Sequence, residues 1–303
     1  MSEASCTGLS PGVSVIVVTY NDRDRLIDCL RSLENQAVQS ATTEIIVIDD
    51  GSTDGTAEAV RDLFPGVRVI TKANEGADLS RNRGITESSG NIIAFIDSDC
   101  VAPGNWLEIL VGVLEKDPSA VVGGRVIHRG PFLRRVVGIA DFGEYQGLVQ
   151  REVRSLPTCN LGLARLTLGG VRFDPRLANA GGDTLFTETL RRGGATLIYE
   201  PEVAVEHRPS VTFGDLMRRA GRYGASFVRA RQVDPSMRYA GLVRVGVLGV
   251  GVATAARVLL DWGRLVRHRR AAGFSLFEVP AAAVVLALRR LASLPAAVRA
   301  VRG

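Results

Sequence analysis

Short runs of β-branched and aliphatic residues alternate with amphipathic stretches through the first third of the chain. Val13–Thr19 is a continuous apolar run of the kind that forms a parallel strand buried on both faces. Asp24–Glu34 places Leu26, Ile27, Leu30 and Leu33 on one helical stripe. The alternation continues with a strand at Glu44–Ile48, a helix at Thr56–Leu63 closed by Pro65-Gly66, and a strand at Val67–Ile70. A helix at Leu79–Ser89 and a strand at Asn91–Ile96 follow. Such alternation predicts right-handed βαβ units on a mostly parallel sheet, an α/β fold whose ligands sit at the carboxyl ends of the strands.

Beyond residue 100 the pattern is less regular. A helix is predicted over Trp106–Glu115, strands over Ala120–Val126 and Thr196–Tyr199, and a helix over Thr184–Arg192. Val203, Val205 and His207 alternate as in a further strand, and an Arg-rich helix spans Asp215–Gln232. The apolar segments Gly241–Leu260 and Gly273–Leu288 come last. This organisation predicts a main α/β unit over 11–235, divided near 125/126, and a helical tail over 236–303.

Charge is distributed unevenly. The 303 residues carry a net +5, yet from Ala240 onward ten arginines face only Asp261 and Glu278, and the rest of the chain is slightly acidic. Only Lys72 and Lys116 are lysines, and no aromatic-studded basic stripe occurs, so nucleic acid is not an expected partner. Cys6, Cys29, Cys100 and Cys159 lie far apart, without metal-ligand spacing, which fits a reducing compartment. The first twelve residues hold Glu3 and no apolar run, so no secretory signal is expected.

Polar clusters fall where the predicted strands end. Asp97-Ser98-Asp99 puts two carboxylates at the end of an apolar strand, where they could share Mg²⁺ or Mn²⁺ with a diphosphate; the same residues also suit a solvated turn. Asp49-Asp50-Gly51-Ser52-Thr53-Asp54-Gly55 offers a carboxylate to a nucleobase, or caps the next helix. Tyr20-Asn21 adds an aromatic face.

Together Val13–Asn21, Val47–Gly55, Asn74–Gly84 and Phe95–Asp99 resemble the family 2 glycosyltransferases of the GT-A fold, in order and spacing. The resemblance implies a Rossmann-like α/β/α sandwich that takes a nucleotide-diphosphate-sugar and a divalent cation, Mn²⁺ or Mg²⁺. It further implies transfer to an acceptor hydroxyl with inversion. By motif, 11–125 would bind the donor and 126–235 the acceptor. Tyr20 would line the base pocket, Asp50 would accept from the base, and Arg81 would face the diphosphate or tie its loop to the acidic motif. Asp97 would contact ribose or metal-bound water, and Asp99 would ligate the metal. On the acceptor side, Asn160 and Gly182 fall in the corresponding segments, and Asp183 would be the general base. The family usually has Glu where this chain has Gly182, so an acid beside the base is missing. Asp183 also suits a plain helix N-cap. His207 would complete the metal shell, or merely close its strand. His128 carries no motif and reads as structural or exposed, and Cys100 as a packing residue.

Two rivals stand beside this reading: a nucleotidyltransferase, for which Tyr20–Asp24 is the wrong loop, and a non-catalytic sugar- or lipid-binding paralogue, favoured by Gly182. The tail segments are broken by Arg244, Arg257, Glu278 and Pro280. They are therefore expected to lie on an anionic membrane surface rather than span it, which would make the protein cytoplasmic and peripheral to the inner face. A helical pair packed on the catalytic unit, or an oligomer contact, is the alternative, and spanning is a third. A glycan or lipid-linked molecule is the expected acceptor.

Overall fold

The structure is a computed structural model that describes residues 12–34, 36, 38, 41–177, 181–237 and 239–302. The N-terminal stretch with Glu3 and Cys6, on which the secretory-signal reading rests, lies outside the described residues.

The first part of the chain runs β1 (Val13–Thr19), α1 (Arg23–Glu34), β2 (Thr43–Asp49), α2 (Thr56–Leu63), β3 (Arg68–Thr71), α3 (Ala77–Glu87), β4 (Ile92–Asp97). It continues through β5 (Cys100–Val101), α4 (Trp106–Lys116), β6 (Ala120–Ile127), α5 (Phe132–Phe142), β7 (Arg151–Glu152) and β8 (Asn160–Ala164). Next come α6 (Arg165–Leu168), α7 (Gly182–Arg192), β9 (Thr196–His207) and α8 (Phe213–Val233). The tail forms α9 (Ala240–Arg244), α10 (Val247–His268) and α11 (Val279–Arg302).

One mixed sheet runs in the order β3-β2-β1-β4-β8-β6-β9-β5, with β7 beside β9. The β1, β2, β3 and β4 pairings are parallel, while β8 is antiparallel to both β4 and β6. Apolar layers cover both faces. Leu26, Cys29, Leu30 and Leu33 of α1 pack with Trp106, Leu107 and Leu110 of α4 on one side. Phe95, Phe173, Phe186 and Leu190 lie on the other. Register then places the chemistry. Thr19 pairs with Asp49 and Val18 with Asp97, so three strand ends open at one rim. Cys100 pairs with His207, which brings the turn after β4 against the end of β9.

The two strands expected around 196–207 are one. β9 passes through Pro201 because the β6–β9 ladder shifts register between Gly124 and Val126. A Cβ at Gly124 would lie 1.7 Å from Val203 O, so only glycine admits this close approach, and the irregularity accommodates a proline that cannot donate.

The tail packs on the second half of the sheet. Leu265, Phe274, Ala282 and Leu286 share a core with Val136, Ile139 and Ala140 of α5. Arg290 binds buried Asp261 through two hydrogen bonds of 2.7 and 3.0 Å, Arg289 pairs with Asp141, and Arg135 pairs with Glu278 at 2.5 Å. α8 and α11 cross so closely that a Cβ at Gly224 would lie 2.2 Å from Ser293 O. Glu278 precedes α11 rather than interrupting it, so this 24-residue helix is long and apolar enough to cross a membrane by length and composition. Its Arg289 and Arg290, however, face inward to their acids.

Candidate active site

The rim residues are held by a dense polar lattice. Asn21 adopts φ 47°, a left-handed conformation that asparagine tolerates, and accepts from Thr53 N–H at 2.8 Å. Ser52 Oγ accepts from Asn21 N–H at 2.9 Å, which ties the β1–α1 and β2–α2 loops together. Tyr20 stands beside them, 53% exposed.

Asp50 is built into the scaffold. It accepts from Lys72 Nζ (2.5 Å), Glu75 N–H (3.0 Å), Gly76 N–H (2.8 Å) and Ser80 Oγ (2.9 Å). Burial works against its charge, but these donors win and hold the carboxyl below its ordinary value. Its buried carboxylate organises the loop leading into α3. Asn160, expected on the acceptor side, is likewise held by internal bonds. Its Oδ1 accepts from Trp106 Nε1 at 2.8 Å and its Nδ2 donates to Val203 O at 2.7 Å, so the fully buried amide braces α4, β8 and β9.

Arg81 joins the remaining acids. It donates to Asp97 Oδ1 at 2.8 Å and to Asp78 Oδ1 at 3.1 Å, and its charge also acts on Asp183. Asp183 lies within α7, whose cap position is Gly181, so it is not the N-cap. Thr184 N–H donates to its Oδ1 at 2.8 Å. Burial pushes the Asp183 carboxyl above its ordinary value, Arg81 opposes this, and Asp97 reinforces it. Gly182 is buried against Asp78, whose Oδ2 has no hydrogen-bond partner among the described residues. Burial raises the Asp78 carboxyl to about 6; Arg81 lowers it and Asp183 raises it.

Across the rim, Asp99 Oδ1 lies 3.2 Å from His207 Nε2. Burial opposes the Asp99 charge, but the facing imidazole holds the carboxyl down to about 2. Asp99, Cys100 and His207 present donor atoms within 4.8 Å of one another. The donor chemistry fits Mn²⁺ or Mg²⁺ at the carboxylate and imidazole. It does not fit at Cys100, whose fully buried thiol is pushed well above its ordinary value.

Three residues without an assigned role in the sequence belong here. Asp22 accepts from Ser98 Oγ at 2.7 Å and so steadies the acidic turn, a contact that its place two residues after Tyr20 could have suggested. Asp78 sits three residues before Arg81 on α3, a spacing that foretells their pair. His128 is buried, not exposed, and its Nε2 lies 2.7 Å from His207 Nδ1; no local motif foretold this contact, which spans 79 positions. Two adjoining grooves of about 370 and 360 Å³ share Ser210. Arg218, Arg219 and Arg222 line one, and Asn21–Arg25 with Asp54 line the other.

Comparison with known proteins agrees with this architecture. The description Glycosyl transferase family 2 matches residues 14–159. The glycosyltransferase AglE of Haloferax volcanii is 28% identical over 236 residues, covering 75% of this chain and 77% of AglE. The succinoglycan biosynthesis protein ExoM of Rhizobium meliloti is 30% identical over 207 residues, 65% of this chain and 66% of ExoM. Further curated glycosyltransferases are matched over only 28–39% of their own length. Among solved structures, the mannosyltransferase PcManGT from Pyrobaculum calidifontis, in complex with GDP-Man and Mn²⁺, superposes with a TM-score of 0.58 at 20% identity. The match covers 97% of this chain and 86% of that one. The fold is therefore the GT-A sandwich, and the chain belongs to the family 2 glycosyltransferases.

Proposed function

We propose that this chain transfers a sugar from a nucleotide-diphosphate donor to an acceptor hydroxyl, with a divalent cation and with inversion. The observation that carries the reading is convergence at one sheet rim: Asp97, Arg81 and Asp183 form one linked charge group, and Asp99 with His207 forms a ligand pair beside it. A bound Mn²⁺ or Mg²⁺ would neutralise charge developing on the diphosphate leaving group. Asp99 and His207 would hold it, with Asp97 nearby.

The protein's own groups supply the rest. Tyr20 offers a stacking face for the base, and the arginines of α8 line the neighbouring groove. Asp183 would take the acceptor proton; its raised affinity for protons makes it a better base than an ordinary carboxylate, provided it is ionised. A single base beside a single displacement implies inversion. Among the described residues, the two carboxylates linked with Asp183 through Arg81 are not free to act as a nucleophile, since Asp97 is bound to Arg81 and Asp78 is buried beneath it. The exposed apolar side chains of α10, α11 and their connecting loop, bordered by Arg267 and Arg270, support peripheral attachment to an anionic membrane and a lipid-linked or glycan acceptor.

The test is a panel of nucleotide-sugars with Mn²⁺ and candidate acceptors, reading released nucleoside diphosphate and the anomeric configuration of the product. A product with inverted configuration supports the proposal. A retained configuration rules out direct displacement, and binding without turnover of any donor would favour a non-catalytic paralogue.

A further inference from the structure

His128 closes β6 and sits beneath the rim, 6% exposed. Its ring is clamped by α5: a Cβ at Gly138 would lie 2.8 Å from His128 Cγ, and the Phe142 ring centroid is 5.0 Å away. Its Nδ1 faces Val126 O at 3.3 Å, and a carbonyl can only accept, so Nδ1 carries the hydrogen. The neutral ring with its hydrogen on Nδ1 presents a lone pair at Nε2. That lone pair meets His207 Nδ1 at 2.7 Å, so His207 Nδ1 must be the donor. With its hydrogen on Nδ1, the neutral form of His207, which is the form that can ligate a cation, turns its Nε2 lone pair toward Asp99 Oδ1, 3.2 Å away. In that form two acceptors face each other at this distance, an arrangement that either a proton on Nε2 or a cation between them relieves.

We propose that His128 is a positioning residue for the cation site, fixing the tautomer and ring orientation of His207 so that Nε2 is presented beside Asp99. The chain of contacts Val126 O–His128–His207–Asp99 is a hydrogen-bond relay in which each donor direction follows from the one before. Partners that orient a ligating imidazole in this way typically contribute 10–100-fold to metal affinity. Gly138 and Phe142 give α5 a reason to pack where it does: they hold the first imidazole so that the second is aimed.

The inference rests on the reading of Asp99 and His207 as cation ligands, and the experiment separates the two. Mn²⁺ alone is titrated into the full chain by calorimetry or by the electron paramagnetic resonance of free Mn²⁺, for wild type, His207→Ala, His128→Phe and His128→Gln. Circular dichroism reports folding of each variant. His128→Phe is expected to raise the Mn²⁺ dissociation constant about 10–100-fold. His128→Gln, which keeps an acceptor near the Nε2 position, is expected to recover most of the loss. A folded His128→Phe that binds Mn²⁺ like wild type while His207→Ala does not would overturn the role of His128 alone. Unchanged binding by His207→Ala would overturn the cation reading itself. If His128→Phe does not fold, imidazole nitrogen resonances of the Mg²⁺-loaded wild type decide. A proton kept on Nδ1 of both rings supports the relay, and a His207 protonated on Nε2 contradicts it.

Discussion

The carboxylate of Asp78 occupies the space that a side chain at Gly182 would need: a Cβ built on Gly182 would lie 1.8 Å from Asp78 Oδ2. The acid that the family usually carries at position 182 is missing from this chain, but a carboxylate reaches the same place from α3. Asp78 and Gly182 are thus one unit, and Asp183 still has a buried acid as a neighbour.

That relation makes a stability prediction. Gly182→Ala should destabilise the protein by about 1–3 kcal/mol, because the displaced group is a buried carboxylate tied to Arg81. Adding Asp78→Gly should recover part of the loss, giving a coupling of about 0.5–3 kcal/mol in a double-mutant cycle. Strictly additive melting data would show that the two positions do not share space.

Asp78 also has a pH signature. Its carboxyl titrates near 6 in the fold against 3.8 in the unfolded chain, so the unfolded state loses its proton first as pH rises. Below about pH 4 both states are protonated and the group is neutral in the balance; between about 4 and 6 its ionisation costs stability, up to roughly 3 kcal/mol above that window. Asp78→Asn removes this dependence. The difference in unfolding free energy between variant and wild type should move in favour of the variant from pH 4 to 6.5, and a pH-independent difference would contradict the raised value.

For the base, Asp183→Asn should lower kcat about 10²–10⁴-fold while donor affinity stays near wild type. Because burial raises the Asp183 carboxyl, the acid limb of the wild-type rate profile should lie above the ordinary carboxylate range, and the variant should lack it. Equal loss of donor binding would make Asp183 a binding residue instead.

The tail prediction changes with the fold. Arg264 pairs with Glu144 and Asp261, so it is not free to meet lipid, whereas Arg267 and Arg270 are exposed. Leu276 and Phe277, in the loop between α10 and α11, are 67% and 96% exposed. Replacing both with Ser should reduce co-sedimentation with anionic vesicles without shifting the melting temperature, and high salt should weaken wild-type binding. Truncation near Ser236 would strip Val136, Ile139 and Val228 of their cover, so the shortened chain should be less soluble, not more. A stable, soluble truncation would show that the packed tail is dispensable.

Much of this was legible in the sequence where local pattern and global fold agree. β1, α2 and β4 are runs whose composition permits little else, and their register alone brings Tyr20, Asp49 and Asp97 to one rim. The same local reading did not show the internal hydrogen bonds of Asp50 and Asn160, because a motif shows that a polar side chain matters but not which groups of the fold take its hydrogen bonds. α5 was missed because its meaning lies in what Gly138 admits, the ring of His128, and β8 because Asn160-Leu-Gly-Leu looks like a loop until Leu110 is seen packed on Gly162. The tail's charge count was right, yet Arg289 and Arg290 are internal ion-pair partners rather than surface charge, a distinction only tertiary contacts make.

The most direct measurement of the central claim is nucleoside diphosphate release from a nucleotide-sugar by wild type and Asp99→Asn, each with Mn²⁺ and with chelator. The account predicts release by wild type that depends on Mn²⁺, and release by Asp99→Asn close to the chelator background while its circular dichroism is unchanged. Release that persists in chelator, or a folded Asp99→Asn as active as wild type, would contradict a cation held at this rim.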